Sequence, residues 1–429
     1  LSLKHEINML NTPLYPLMNG IIHGCTLLIR KDVLLHYNLF KKNLRTTQDY
    51  DLWFDILRKT PIHYVDEILV KSRDHEFQDS KKLSTIHEKE GTELWIKIID
   101  SLSKVEIEEL CKGSPRFFYI LYNRLKNNNL PQAANRALQK AISYESNQEN
   151  ILFITATVDG GLGRFINDLS GGLKDEYGVF ILHIVGRYFI LYYQGQSIFN
   201  IELEKSVLFN DMFDNEEVSG LISLILLIFN IKLIHSNGFF CIGFKILEPI
   251  SEAKIPIIYT VHDFHLICPS QFFLNKNSKY CGMNKDLSIC NKCLKSNPYV
   301  NWLGVNNSTQ LVRYREYIEQ FVFPKIDFIT YPTQFAKDAF INFYPFLNTK
   351  NSRIIEHGIR PLGEELEVEG LNTNRTKIRI GLIGNIAVHK GIESIKSIIN
   401  KMDADGFEFI LFGKSTQILN NTKIIQITS

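Results

Sequence analysis

The spacing of hydrophobic positions changes twice along the chain. Residues 1 to about 90 alternate short apolar runs, such as Ile21-Ile22 and Thr26-Leu27-Leu28-Ile29, with polar turns. From about 85 to 148 the apolar positions fall at helical intervals. They run through Leu94, Trp95, Ile98 and Ile99, then Phe117 to Tyr122, then Ala133, Ala134, Ala137 and Ala141. Asn127-Asn128-Asn129 followed by Pro131 predicts a break between two of these helices. The polar stretch Ser146 to Asn150 predicts a domain boundary.

After that boundary the pattern becomes α/β. Ile151 to Thr155 is a continuous apolar run, as expected for a strand covered on both faces. It leads into Asp159-Gly160-Gly161-Leu162-Gly163-Arg164 and then a helix through Phe165, Leu169 and Leu173. Further strands are predicted at Val179 to Val185, Leu233 to His235, Ile257 to Val261 and Phe328 to Thr330. A second break falls between Gly363 and Asn374, and Ile378 to Gly384 restarts the strand and glycine-turn pattern. Strands alternating with helices imply parallel sheets. The two restarts imply two Rossmann-like lobes, the second only begun, and no fixed-period repeat is visible.

Bulk composition narrows the partners. The 429 residues carry 48 basic and 46 acidic side chains, a net charge of +2, so charge alone gives no reason to expect nucleic acid or an acidic membrane surface. The most apolar stretch, Leu221 to Phe229, is far shorter than the roughly 20 residues a membrane span needs. It reads as a buried helix. No apolar leader follows Leu1, which implies a cytoplasmic protein with at most peripheral contact at the inner face of a membrane. The absence of an initial Met and the strand-like ending Lys423 to Ser429 suggest a piece of a longer chain.

Several short stretches carry candidate chemistry. Gly160, Gly161 and Gly163 with Arg164 form a glycine turn ahead of a helix N-terminus, where free N–H groups can meet an anion. A plain structural turn accounts for the same residues. The stretch Gly381 to Gly391 repeats the arrangement, with Gly384, Asn385 and His389, and Lys390 as a point charge for a diphosphate. His262 directly follows a buried strand, at the sheet edge where open α/β folds bind ligands, and can serve as base or donor near neutral pH. His357 stands in a short polar loop after another strand, which can face a cleft and meet a donor phosphate. Cys290 and Cys293 have the tight spacing that grips zinc, and Cys268 and Cys281 could complete a structural Cys₄ site, with four free thiols as the alternative. Asp49 and Asp51 open a helix, which the helix dipole alone would favour. A second polar set, with Arg73 and His75, follows the strand-like Ile68-Leu69-Val70. A carboxylate, an arginine and a histidine on one edge could serve an acceptor hydroxyl, a diphosphate and a divalent cation.

These residues resemble two families. Residues 19–80 look like the C-terminal half of a family 2 glycosyltransferase with a GT-A fold, through Asn19-Gly20, Gly24 to Ile29, Thr47 to Trp53, and Arg73-Asp74-His75 with Gln78 and Ser80. The resemblance implies that Asp49 deprotonates an acceptor hydroxyl, with Asp51 beside it. It also implies that Mg or Mn binds near His75. Residues 150–429 look like a family 4 glycosyltransferase with a GT-B fold, through the first glycine turn, Thr260 to Phe264, Ile267-Cys268-Pro269, the cysteine loop, His357-Gly358 and Gly381 to Gly391. That implies donor diphosphate contacts from Lys390 and its glycine turn, and acceptor contacts from the first lobe and His262.

The expected architecture is therefore α/β: part of a GT-A module over 1–90, a helical linker over 91–148, a GT-B acceptor lobe over 149–366 and the start of a donor lobe over 367–429. The expected substrates are a nucleotide-sugar and a glycan or lipid-linked glycan acceptor, in polysaccharide or glycan synthesis. A non-catalytic glycan- or partner-binding module on the same folds is the alternative.

Overall fold

The computed structural model of the chain describes residues 10–37, 39–65, 67, 69–71, 83–144, 148–205, 215–239, 242–297, 305–358, 377–384, 386–402, 406–413 and 424–427. Arg73, His75 and Asn385 lie outside them. The protein is α/β, with a mostly parallel arrangement of strands. It divides into two compact units that meet in the chain at Ile258 and Tyr259.

The first unit begins with short helices: α1 (Tyr15–Met18), α2 (Lys31–His36) and α3 (Gln48–Leu57). Leu69 and Val70, expected in a strand, are exposed and lie outside regular structure. Four helices follow: α4 (Ser84–Ser101), α5 (Lys104–Cys111), α6 (Arg116–Asn127) and α7 (Pro131–Ser143). Pro131 opens α7, where its missing N–H costs no hydrogen bond, so the predicted break falls where expected. Ser103 and Glu106 cap α5 reciprocally.

The sheet of this unit has strands β1 (Asn150–Thr155), β2 (Gly178–Val185), β3 (Tyr188–Tyr193), β4 (Gln196–Glu202) and β5 (Ile231–Ser236), in the order β4-β3-β2-β1-β5. β1 runs parallel to β2 and β5. On one face, helix α8 (Gly160–Leu173) packs Ile166 against Ile151, Phe153, Val179 and Ile181. On the other, Tyr119 of α6 meets Tyr193 at 4.9 Å and Phe229 at 6.5 Å between ring centres, and Ser114 hydrogen-bonds the Tyr193 hydroxyl at 3.1 Å. The helical segment expected as a linker thus covers a face of this sheet.

The antiparallel meander β2-β3-β4 was not foreseen. Gln194 (φ +43) and Gly195 (φ +82) form a two-residue turn with both residues left-handed, which matches the twist of paired strands. Helix α9 (Glu216–Ile228) contains the apolar stretch read as a buried helix. Val218, Ile222 and Ile225 are buried, but Leu224 and Leu227 are exposed, so only one face is covered. Among the described residues no helix is long and apolar enough to cross a membrane.

The chain enters the second unit through β6 (Ile257–Thr260). Val261 N–H donates to Thr330 O at 2.9 Å, and the Thr260 and Thr330 hydroxyls pair at 2.6 Å. β7 (Phe328–Tyr331) is parallel to β8 (Ser352–Ile354). Farther on, β9 (Ile378–Ile383), β10 (Phe407–Phe412) and β11 (Ile424–Ile427) form a parallel three-stranded sheet, order β11-β10-β9. A helix at Ile392–Lys401 packs Ile392 and Ile395 against Leu382 and Leu411.

Candidate functional site

The first group of candidates surrounds Asp49. Asp49 and Asp51 lie in the first turn of α3, where the helix dipole favours negative charge. Asp49 is half-buried, and its Oδ1 accepts the N–H of Tyr50 at 2.9 Å. Gly24 lies beside both Asp49 and Trp53: a Cβ there would sit in ordinary contact, 3.9 Å from Asp49 Oδ2 and 3.5 Å from the Trp53 ring. Tyr50 donates its hydroxyl to Ile22 O at 2.9 Å and packs on Trp53 and Trp95 at 5.2 and 6.2 Å.

Asp51 is placed differently. It is buried, with Oδ2 2.5 Å from Lys41 Nζ and Oδ1 2.8 Å from Lys97 Nζ. Burial pushes its carboxyl up, but the two ammonium groups outweigh that and hold it below the usual range. The turn ahead of α3 is fixed by Glu90 of α4. Its carboxylate accepts Arg45 N–H at 3.0 Å, Thr46 N–H at 2.8 Å, and the hydroxyls of Thr46 and Thr47 at 2.8 and 3.4 Å. Arg58, at the end of α3, forks onto Glu106 at 2.5 and 2.6 Å. Glu90, Lys97 and Glu106 were not foreseen as partners of this turn. Only their helical spacing was legible.

In the same unit, β1 leads through Asp159 into the glycine turn. Gly160 is left-handed (φ +65), and a Cβ on Gly160 or Gly161 would meet nothing within 4 Å. The turn therefore stands open over the start of α8. Gly163 is needed for packing: a Cβ there would lie 2.0 Å from Val158 O. Arg164 Nε reaches Asp168 one turn on, at 3.0 Å. His183, paired with Thr155 across β1 and β2, also faces this region electrostatically through Asp159. Burial lowers its pKa, and its Nδ1 has no hydrogen-bond partner among the described residues.

The second unit gathers the histidines. His262 follows β6 and His357 follows β8, and the two rings stack at 4.9 Å with 22° between planes. Burial lowers the pKa of His357, which favours the neutral imidazole. Asp263 turns to His265, accepting its N–H at 2.8 Å and facing its Nδ1 at 2.5 Å. Burial raises the Asp263 carboxyl, but the charge and hydrogen bonds of His265 prevail and lower it. Tyr314 and Tyr344 donate hydroxyls to the carbonyls of His265 and Leu266 at 2.7 and 2.6 Å, fixing this loop from below.

Gly384 (φ +102) ends β9, and a Cβ on Gly413 would lie 2.5 Å from its carbonyl oxygen. The left-handed backbone explains Gly384, and the close approach explains Gly413. Lys390 is exposed at the end of the turn Val388–Lys390. His389 stacks flat on Phe272 at 4.5 Å and 9°, tying this turn to the loop after β6. Burial and the Lys390 charge lower the pKa of His389.

Cys268, Cys281, Cys290 and Cys293 are free thiols. Cys268 Sγ is 3.3 Å from Ser270 Oγ, Cys290 Sγ lies 3.7 Å from Asn284 O, and Asn297 Nδ2 reaches Cys293 Sγ at 3.2 Å. Among the described residues no three His, Cys, Asp or Glu side chains are gathered as a metal-holding set.

No family model matches the chain. Over 125 residues, 29% of this chain, it is 44% identical to an uncharacterized glycosyltransferase of Rickettsia felis. It is 43% identical over the same length to one of Rickettsia conorii. Over 116 residues it is 39% identical to one of Rickettsia typhi. The matched stretch spans 20% of the first two relatives and 36% of the third.

Proposed function

We propose that the protein transfers a sugar from a nucleotide-sugar to an acceptor hydroxyl, in polysaccharide or glycan synthesis. The observation that carries this reading is the identity of about 40% to relatives named as glycosyltransferases. The fold and the placement of Asp49, His262 and Lys390 are compatible with it.

In the first module the acceptor hydroxyl gives its proton to Asp49, and its oxygen attacks the anomeric carbon in line. The bond from that carbon to the diphosphate breaks, and the nucleoside diphosphate leaves with the electron pair. Configuration is inverted. Magnesium or manganese, with His75 among its ligands, would neutralise the leaving diphosphate, and Arg73 would contribute charge to it. Asp51 has a supporting role, because its charge is already matched by Lys41 and Lys97.

In the second module Lys390 and the turn at Gly384 and Asn385 take the diphosphate charge of a second donor, and no metal is needed. His262, stacked on His357, faces the acceptor as a hydrogen-bonding group or base. Gly160, Gly161, Gly163 and Arg164 offer the start of α8 to a donor phosphate. A glycan or lipid-linked glycan is the acceptor. The test is the Asp49→Asn variant. Loss of metal-dependent transfer with the fold retained supports the assignment, and undiminished transfer removes it.

A further inference from the structure

Arg124 lies on α6, in the same unit as Asp49. Its guanidinium stacks over the Trp95 ring at 4.7 Å. All three of its nitrogens are buried, and none has a hydrogen-bond partner among the described residues. Burial lowers its pKa to about 10, which leaves it a cation at neutral pH. A buried guanidinium with its whole fork of N–H donors unspent calls for an anion.

The Gly20 backbone packs against the fork. Gly20 is left-handed (φ +68), and a Cβ there would come within 2.7 Å of Arg124 Nη1. Glycine is the residue that meets both demands. Tyr50, next to Asp49 in the first turn of α3, packs against the same Trp95 ring at 6.2 Å, so the guanidinium and the turn that carries the candidate base share one aromatic wall. Gln48, next to Asp49, also has a buried Oε1 with no donor among the described residues. A cation and a carbonyl, neither hydrogen-bonded among the described residues, thus accompany the carboxylate at this helix start.

We propose that Arg124 is the anion-binding residue of an acceptor subsite beside Asp49, taking a phosphate or carboxylate carried by the acceptor. A planar fork suits either group through two parallel hydrogen bonds. Gln48 Oε1 would accept from a hydroxyl of the same molecule. The assignment to an acceptor rests on Asp49 being the base that faces its hydroxyl.

The test is titration of the chain at low salt with inorganic phosphate, with glucuronate and with glucose as the neutral control, read by thermal shift and calorimetry. Phosphate or glucuronate should raise the melting temperature, and glucose should not. The Arg124→Gln variant should weaken anion binding about tenfold or more. The Asp49→Asn variant should keep it. Tighter binding of phosphate indicates a phosphorylated acceptor, and tighter binding of glucuronate an acidic sugar. If Arg124→Gln fails to fold, Arg124→Met keeps an unbranched stem on Trp95 and serves instead. No anion-dependent shift in the wild type, or unchanged anion affinity in a folded Arg124 variant, overturns the proposal. Those results leave the glycosyltransferase reading intact if transfer still depends on Asp49. Anion binding with Asp49-independent transfer removes the acceptor assignment.

Discussion

Lys97 Nζ lies 2.8 Å from Asp51 Oδ1, and with Lys41 on the other oxygen it neutralises the buried carboxylate in the motif that also carries Asp49. Two aspartates two positions apart therefore do different work. The Asp51→Asn variant should lose about 1–3 kcal/mol of stability at neutral pH, at the low end because both lysines are half-exposed. A carboxylate with a lowered folded pKa stabilises above its unfolded value, about 3.9, and loses that contribution as pH falls through the folded value. The gap between variant and wild type in urea unfolding should therefore shrink toward pH 3. Asp49→Asn should leave stability nearly unchanged.

Glu90 sets the entry to the same helix. The Glu90→Gln variant weakens acceptance from the N–H groups of Arg45 and Thr46. Amide exchange at those two positions should speed up about tenfold or more, with stability falling by about 1–2 kcal/mol. Unchanged exchange at 45 and 46 would show that the turn holds itself.

His235, on β5, gives the fold a pH dependence. Burial lowers its pKa to about 4, and its ring sits 4.9 Å from Phe153. The unfolded chain binds the proton below about 6.5, so the neutral ring's contribution is complete above that pH and fades toward pH 4. Stability should drop by about 1–3 kcal/mol over this window from this residue alone. His235→Phe, measured by denaturant unfolding across the same range, should flatten the slope.

The cysteines should separate by rate. Burial pushes the Cys268 thiol up to about 11, while Cys25 is exposed. Iodoacetamide at pH 8 should label Cys25 first and Cys268 at least about tenfold more slowly, as a scarcer, shielded thiolate requires. Peptide mapping by mass spectrometry reads both. Equal rates would contradict the shielded, half-buried position of Cys268.

Local signals carried much of the fold. The apolar run Ile151 to Thr155 and its glycine turn, the alanine-spaced helix after Pro131 and the restart at Ile378 were legible because each is set by neighbours within one element. The meander through β3 and β4 carried its alternation and its Gln194-Gly195 turn, but the surrounding α/β rhythm masked it. Leu69 and Val70 show the converse, since apolar character without a paired strand makes no sheet. The sites were less legible. His262 was found from its place after a strand, but its stack on His357 joins residues far apart in sequence. Phe272 under His389, Glu90 under the Asp49 turn and Arg124 over Trp95 depend on packing that no spacing rule encodes.

The most direct test is sugar transfer by the full natural chain across UDP-, GDP- and TDP-sugars, with and without Mn²⁺, beside its Asp49→Asn and Lys390→Ala variants. Two activities are expected. One should need the metal and fall at least about a hundredfold in Asp49→Asn, the scale of losing a general base. The other should be metal-independent and fall in Lys390→Ala. No turnover and no binding of any donor would contradict the account and leave TTQDYDLW as an acidic helix start.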